Sequence, residues 1–163
     1  MIYLHSLSDK MSLEEFKIID ATKLPVGKLM AIIVKNQTLY LNRHLEEFGI
    51  NSSQLNFMFE IAHQKEINQE KIASRCSIDK GSVARSIKKL EDNGLVKREV
   101  DEENRRQKKV SLTPKGEETL SKAIDQLKKW EDYLFNDNSI EKEELQKTLK
   151  EVAIKSIELN QEE

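Results

Sequence analysis

Cationic side chains are concentrated in one segment of this sequence, residues 71–115. The segment holds thirteen Lys or Arg against seven Asp or Glu, a net charge of +6, whereas the other 118 residues carry −8 and the whole chain carries −2. Ammonium and guanidinium groups pair with phosphates, and a guanidinium can also donate two hydrogen bonds to one edge of a guanine. This distribution predicts that one face of an otherwise acidic protein binds nucleic acid.

Two short helices and a hairpin are expected to position these cations. Asn68 and Asp79 have side chains that cap helix N-termini, and Gly94 can take the left-handed conformation that ends a helix. Residues 95–112 have the pattern of two strands joined by a polar, protruding tip at 101–107. Such an arrangement can place one helix in the major groove of DNA and the hairpin beside it.

The second helix of the pair is predicted to have two distinct faces. Val83, Ile87 and Leu90 recur at intervals of four and three residues, which indicates one buried stripe. Small, polar and basic residues fall on the opposite face: Gly81, Ser82, Arg85, Lys88 and Lys89. The competing interpretation is an ordinary solvated helix face, but the combination of capped helix pair and hairpin favours nucleic-acid binding.

Longer helices are expected on both sides of this segment. A capping box at Ser12–Glu15 predicts a short first helix, and longer helical patterns cover residues 25–48, 51–63 and 113–135 and continue from about 140. The apolar face of the helix at 51–63 is expected to contain Leu55, Met58, Phe59 and Ala62. The terminal helices have narrow apolar stripes that so small a chain cannot bury by itself. This pattern favours a symmetric dimer over an intramolecular helical bundle.

Three stretches, "IASR", "SIDKGSVARSIKKLEDNGLVKR" and "DEENRRQKKVSLTPKG", resemble the winged helix-turn-helix of the MarR family of transcription regulators. The resemblance extends from about Leu24 to Leu159. It implies one MarR-like domain over residues 1–163, mainly α with a small β-hairpin wing. In that organisation a winged helix-turn-helix at about 50–113 lies between N- and C-terminal dimerisation helices at about 1–48 and 114–163.

The resemblance also implies a function. It predicts a sequence-specific, ligand-responsive repressor that binds a pseudo-palindromic operator in double-stranded DNA as a homodimer. Arg85 is the best candidate for a base contact, and Arg105 and Arg106 are expected to carry the wing toward the minor groove or phosphates. The full set of residues expected at DNA is Lys80, Gly81, Ser82, Arg85, Lys88, Lys89, Arg105, Arg106 and Lys109.

Two positions depart from the family pattern. Glu103 stands where the wing commonly has an Arg, although Asp101, Asn104 and Arg106 match. Ala84 stands in the second helix where Thr or Ser is frequent. At these two positions the chain lacks a wing cation and a hydroxyl contact to DNA that the family pattern commonly provides.

An effector is a further implication of the resemblance, because many relatives are released from DNA by small phenolic or aromatic carboxylic acids. Tyr40, Arg43 and His44 are candidates to stack on such an acid and to pair with its carboxylate. The alternative is that Tyr40 packs in the core and Arg43 is solvated.

Other chemistries find no support in the sequence. It contains no Gly-rich phosphate loop, nucleophile elbow or His–carboxylate pair, so we expect no enzyme and no cofactor. The three histidines, at positions 5, 44 and 63, are too scattered to predict a metal site. Cys76 lies on an apolar helix side and is expected to pack there, although a redox role stays open.

The expected location is the cytoplasm. A single Cys suits a reducing compartment, the N-terminus lacks the pattern of a signal peptide, and no apolar run approaches the roughly 18 residues of a membrane span. A different class of function remains as an alternative, in which the winged helix is a protein–protein adaptor in a transcription or replication assembly. The concentration of cations argues against it, because a protein-binding wing does not need them.

Overall fold

The computed structural model describes residues 12–65, 67–100, 108–137 and 139–161, which are mainly helical with one small antiparallel sheet. The helices are α1 (Leu13–Lys17), α2 (Val26–Leu45), α3 (Ser52–Gln64), α4 (Gln69–Cys76), α5 (Lys80–Asp92), α6 (Pro114–Phe135) and α7 (Lys142–Leu159). The strands are β1 (Ile67–Asn68), β2 (Val96–Val100) and β3 (Lys108–Leu112), and 3₁₀ turns occur at Ala21–Lys23 and Glu46–Phe48. This architecture confirms the predicted fold class, a mainly α chain with a β-hairpin.

The chain divides into two compact units, residues 1–38 and 39–163. In the first unit, α1 begins with the predicted capping box. The Glu15 amide donates to Ser12 Oγ at 3.2 Å, and the Ser12 amide donates to Glu15 Oε2 at 2.8 Å. The N-terminal part of α2 belongs to this unit, and its large apolar side chains at Val26, Ile33 and Val34 are more than half exposed.

The hydrophobic core of the second unit lies beneath α5. Val83, Ile87 and Leu90 are completely buried, as their spacing predicted. α3 packs against α4, α5, α6 and the sheet, so its buried face is wider than the predicted one. Its buried residues are Gln54, Leu55, Phe57, Met58 and Ile61, whereas Phe59 is half-buried and Ala62 is exposed.

Most helix ends coincide with the residues that predicted them. Asn51 and Gln54 form a capping box at the start of α3, and Thr113 caps α6. The predicted helix at 25–48 is regular only to Leu45, because its last turn tightens into a 3₁₀ turn before Gly49, whose φ is +70°. No helix in the described part of the chain combines the length and apolar character needed to span a membrane.

The sheet has the order β1–β3–β2. β2 and β3 form the predicted hairpin, in which Val96 lies opposite Leu112 and Val100 lies opposite Lys108. β1 pairs with the other edge of β3 and places Ile67 opposite Val110. The sequence did not predict β1, because two residues are too few for an alternating pattern. Its pairing ties the start of α4 to β3.

Candidate nucleic-acid interface

The helix pair is built from local signals at each helix end. Asn68 Oδ1 accepts a hydrogen bond from the Lys71 amide at 2.8 Å, and Asp79 Oδ1 accepts one from the Ser82 amide at 2.9 Å. Hydrogen bonds from the side chain and amide of Ser82 lower the pKa of Asp79, so the cap is ionised at neutral pH. Between the helices Ser77 adopts a left-handed conformation, with φ of +53°, which turns the chain sharply from α4 into α5.

The first turn of α5 holds Arg85 in place. Arg85 Nη2 donates a hydrogen bond to Ser82 Oγ at 2.8 Å. A Cβ atom added at Gly81 would lie 3.4 Å from Arg85 Nη1 and 3.3 Å from Asp79 Oδ1. The guanidinium therefore lies over the N-terminal turn of the helix, where it stays exposed to solvent.

The lysines of α5 have different surroundings. Lys80 Nζ lies 2.7 Å from Glu70 Oε1 in the first turn of α4, and Lys88 Nζ lies 3.8 Å from Asp92 Oδ2 on α5 itself. Lys89 makes no ion pair with any residue that the structure describes, and all three lysines are exposed. Arg85, Lys88 and Lys89 therefore share one solvent-facing side of α5, opposite the buried stripe, and Lys80 is exposed at the start of the helix.

An ion pair that the sequence did not reveal joins α5 to the hairpin. The Arg98 guanidinium on β2 contacts the Glu91 carboxylate near the end of α5, and both side chains are largely shielded from solvent. The hydrogen bond from Arg98 lowers the pKa of Glu91. Charged residues seven positions apart on a helix and a strand carry no local periodicity, so only the folded chain brings them together.

The C-terminal end of α5 is fixed by the start of α6. Gly94 takes a φ of +71°, and its carbonyl accepts a hydrogen bond from Thr113 Oγ1 at 2.7 Å. The same Thr113 oxygen accepts one from the Gly116 amide at 3.0 Å. Gly116 lies so close to the Leu95 backbone that an added Cβ would be 2.0 Å from the Leu95 carbonyl oxygen. α6 is therefore anchored directly to the turn that follows α5.

Of the cations predicted on the hairpin, only Lys109 lies among the described residues. Lys109 lies on β3, half-buried, in register between Asn68 of β1 and Glu99 of β2. Arg105 and Arg106 lie outside the described residues, as do the family positions Asp101, Glu103 and Asn104.

Comparison with known proteins identifies this arrangement. The model of the MarR family matches residues 50–108, which span α3, the helix pair, β2 and the first residue of β3. The HTH-type transcriptional regulator BilQ of Clostridium symbiosum is 32% identical over 107 residues, which cover 66% of this chain and 73% of that protein. A MarR transcriptional regulator from Methanosarcina mazei Go1 is 30% identical, with a TM-score of 0.74, over 82% of this chain and 97% of that structure. The chain belongs to the MarR family.

Membership of this family of DNA-binding transcriptional regulators confirms the predicted resemblance and the expectation of a regulator rather than an enzyme. A mutant of Escherichia coli MarR complexed with operator DNA shares the fold. That structure has a TM-score of 0.70 at 20% identity and covers 90% of this chain and 99% of its own.

The effector candidates of this MarR-family chain are only partly brought together. The rings of Tyr40 and His44 lie one turn apart on α2, with centroids 4.3 Å apart and planes inclined by 41°. Tyr40 packs against the core and is half-buried, whereas Arg43 is exposed and pairs with no described residue. A separate cavity of about 540 Å³ between α3, β3 and α6 is lined by Ile61, Ala62, Lys65, Ser111, Leu112, Glu117, Leu120, Ser121 and Ile124, and includes none of the three.

Cys76 is half-buried and packs against the hydrophobic core, in agreement with a packing role. Burial and the nearby Glu60 carboxylate raise the pKa of its thiol. The thiol is therefore protonated at neutral pH, which makes it a poor nucleophile. Among the described residues, no group of three or more His, Cys, Asp or Glu has the geometry to hold a metal ion.

Proposed function

We propose that this MarR-family chain is a sequence-specific repressor that binds a pseudo-palindromic operator as a homodimer, with α5 in the major groove of each half-site. The observation that carries the proposal is the division of α5 into a fully buried aliphatic stripe and an exposed basic face. The buried side fixes the helix on the core, and the exposed side has the width and charge that a major groove accepts.

The proposed contacts divide by chemistry. Arg85 is assigned to a guanine edge, because its guanidinium can donate two parallel hydrogen bonds and Ser82 already holds it over the first turn. Gly81 lets the backbone approach DNA closely. Lys88, Lys89 and Lys109 are assigned to phosphates, and Lys80 and Ser82 to the edge of the major groove, where Lys80 can pair with a phosphate. Arg105 and Arg106 are assigned to the minor groove or phosphates beside the wing.

The homodimer is proposed from the apolar residues of α7. Leu149, Val152 and Ile157 are between 38% and 56% exposed, at spacings that put them near one side of the helix. A second copy that packs against this helix would bury them, and two-fold symmetry would present two α5 helices to DNA. In this organisation residues 50–113 are the DNA-binding part, and the helices within 1–48 and 114–163 form the dimer.

The selection of bound duplexes from a random library tests the function and the dimer together. We expect the bound sequences to contain two inverted half-sites whose centres are about 10 base pairs, or one helical turn, apart, or a multiple of that spacing. A single half-site would contradict the dimer. Failure to bind any duplex at low salt would contradict DNA binding and favour the protein–protein adaptor.

Regulation by a small aromatic or phenolic acid is the second part of the proposal. The adjacent Tyr40 and His44 rings offer an aromatic surface, and the Arg43 guanidinium, which pairs with no described residue, offers a partner for a carboxylate. The setting for such control is the cytoplasm, where the chromosome of a bacterial or archaeal cell lies.

Benzoate and phenol serve as probes for this effector site. We expect benzoate to release the wild-type protein from a selected duplex, and Arg43→Gln to raise the benzoate concentration required. Lys129→Gln on the exposed side of α6 removes the same charge and is the matched control. An unchanged benzoate response in Arg43→Gln would exclude Arg43 from the effector site, and release unaffected by either probe would contradict control by such acids.

A further inference from the structure

A carboxylate from α4 contacts the first residue of α5. Glu70 is in the first turn of α4, and its Oε1 atom lies 2.7 Å from Nζ of Lys80, the first residue of α5. Both side chains are well exposed, Glu70 at 60% and Lys80 at 74%. The hydrogen bond and charge of Lys80 lower the pKa of Glu70, so the carboxylate is ionised at neutral pH.

This pair differs from the contacts of the other α5 cations. Arg85 donates a hydrogen bond to the Ser82 hydroxyl and interacts with the charge of Asp79, the N-cap of its own helix. Lys88 faces an acid one turn away on the same helix. Glu70 instead reaches Lys80 across the turn between two helices, ten residues away along the chain. Among the described residues, Glu70 is the acid that brings a negative charge from another element to the start of α5.

We propose that the Glu70 carboxylate competes with DNA phosphate for Lys80, and that this competition lowers the affinity of the protein for DNA. The inference rests on the proposed DNA-binding function. A lysine that neutralises a phosphate releases a counterion from DNA, but Lys80 must first leave a carboxylate that already neutralises it. Exchange of the Glu70 carboxylate for a phosphate gains little binding free energy, and it leaves Glu70 unpaired near the phosphates.

Removal of the Glu70 charge should change the salt dependence of DNA binding. Each lysine that gains a phosphate steepens the plot of log affinity against log salt by about 0.9. Glu70→Gln removes the competing charge and keeps the shape of the side chain. It should steepen the slope by about one and raise the affinity for a random duplex about two- to fivefold, the range typical of exposed ion pairs.

A double-mutant cycle tests whether this effect passes through Lys80. The proteins are wild type, Glu70→Gln, Lys80→Gln and the double variant. Each is titrated by fluorescence anisotropy with a random duplex of about 30 base pairs, roughly three helical turns, at several salt concentrations. Glu118→Gln is the matched control, because Glu118 pairs with Lys122 at the same distance of 2.7 Å but lies on α6. Circular dichroism establishes that every variant is folded.

We expect Glu70→Gln to bind more tightly and with a steeper slope than either wild type or Glu118→Gln, and we expect this gain to disappear in the Lys80→Gln background. Equal behaviour of Glu70→Gln and Glu118→Gln would overturn the role of Glu70 while leaving DNA binding intact. A gain that persists without Lys80 would also overturn it, because Glu70 would then act only by repelling DNA. If wild type binds no duplex at low salt, the proposed function fails, and this role fails with it.

Discussion

Gly116 shows how a single atom can determine the position of a whole helix. A methyl group at this residue would lie 2.0 Å from the Leu95 carbonyl oxygen, a backbone atom that cannot rotate away. The first turn of α6 must therefore be displaced from the Leu95 backbone before any side chain larger than hydrogen fits. Because Thr113 joins the same turn to Gly94, such a displacement also loosens the end of α5.

We predict that Gly116→Ala lowers the free energy of unfolding by about 1–3 kcal/mol, the cost typical of an overpacked site, or by more if α6 detaches. Gly27 provides the control, because nothing lies within 4 Å of the position that its Cβ would take. Gly27→Ala in the helix α2 should instead raise stability by up to about 1 kcal/mol. Chemical denaturation of both variants measures these changes, and equal stability of the two would refute the close-approach argument.

At the scale of secondary-structure elements, the Glu91–Arg98 ion pair connects α5 to β2. Arg98 lowers the pKa of Glu91 below its ordinary value of 4.5. A carboxylate whose pKa is lower in the folded than in the unfolded state stabilises the fold above the unfolded pKa. That contribution is lost as the pH falls from about 4.5 through the lower folded-state pKa.

We therefore predict that Glu91→Gln is less stable than wild type at pH 7, and that the difference shrinks progressively below about pH 4, near the unfolded pKa of a glutamate. Thermal unfolding of the two proteins across this pH range measures the difference. Glu118→Gln, whose carboxylate is in an exposed i,i+4 pair on α6, should show a smaller effect at pH 7. A Glu91→Gln difference that is independent of pH would contradict the ion-pair explanation.

The elements themselves were largely predictable, because the signals that define them are local. The caps Asn68, Asp79 and Thr113 each bond to an amide three residues away, and the stripe of α5 follows from helical spacing alone. Contacts between distant segments were not predictable. Neither the pairing of β1 with β3 nor the contact between Gly116 and Leu95 has a local sequence signal.

The candidate site was predictable to the same extent. The pattern of α5 predicts which cations share its exposed face, since a helix fixes their directions. It does not predict the partner of each cation, because Glu70 and Arg98 belong to other elements that reach α5 only in the folded chain.

At the scale of the whole molecule, the proposed dimer depends on the exposed apolar residues of α7. We predict that Val152→Glu, which adds one negative charge among these residues, converts the dimer to monomer or weakens it by at least about tenfold, as expected for a charge buried without a partner. Sedimentation across a range of protein concentrations measures the dissociation constant.

Lys147→Gln changes the net charge of α7 by the same amount on the opposite side of the helix, where Lys147 is exposed, and should leave the dimer intact. If wild type is itself a monomer at micromolar concentration, or if Val152→Glu sediments like wild type, this dimer interface is wrong. Because a monomer presents a single α5, Val152→Glu should also lose most of its affinity for a site with two half-sites.

Arg85 lies on the exposed face of α5 that we propose to read DNA, so its removal should reduce sequence selectivity. The measurement is a titration of wild type and Arg85→Ala, at one fixed salt concentration, with the selected duplex and with a random duplex. Lys129→Ala, which removes one positive charge from α6, is the control. We expect Arg85→Ala to lose about 1–3 kcal/mol of discrimination between the two duplexes, roughly 5- to 150-fold, and Lys129→Ala to keep it. Unchanged affinity and selectivity in Arg85→Ala would show that this face of α5 does not read DNA.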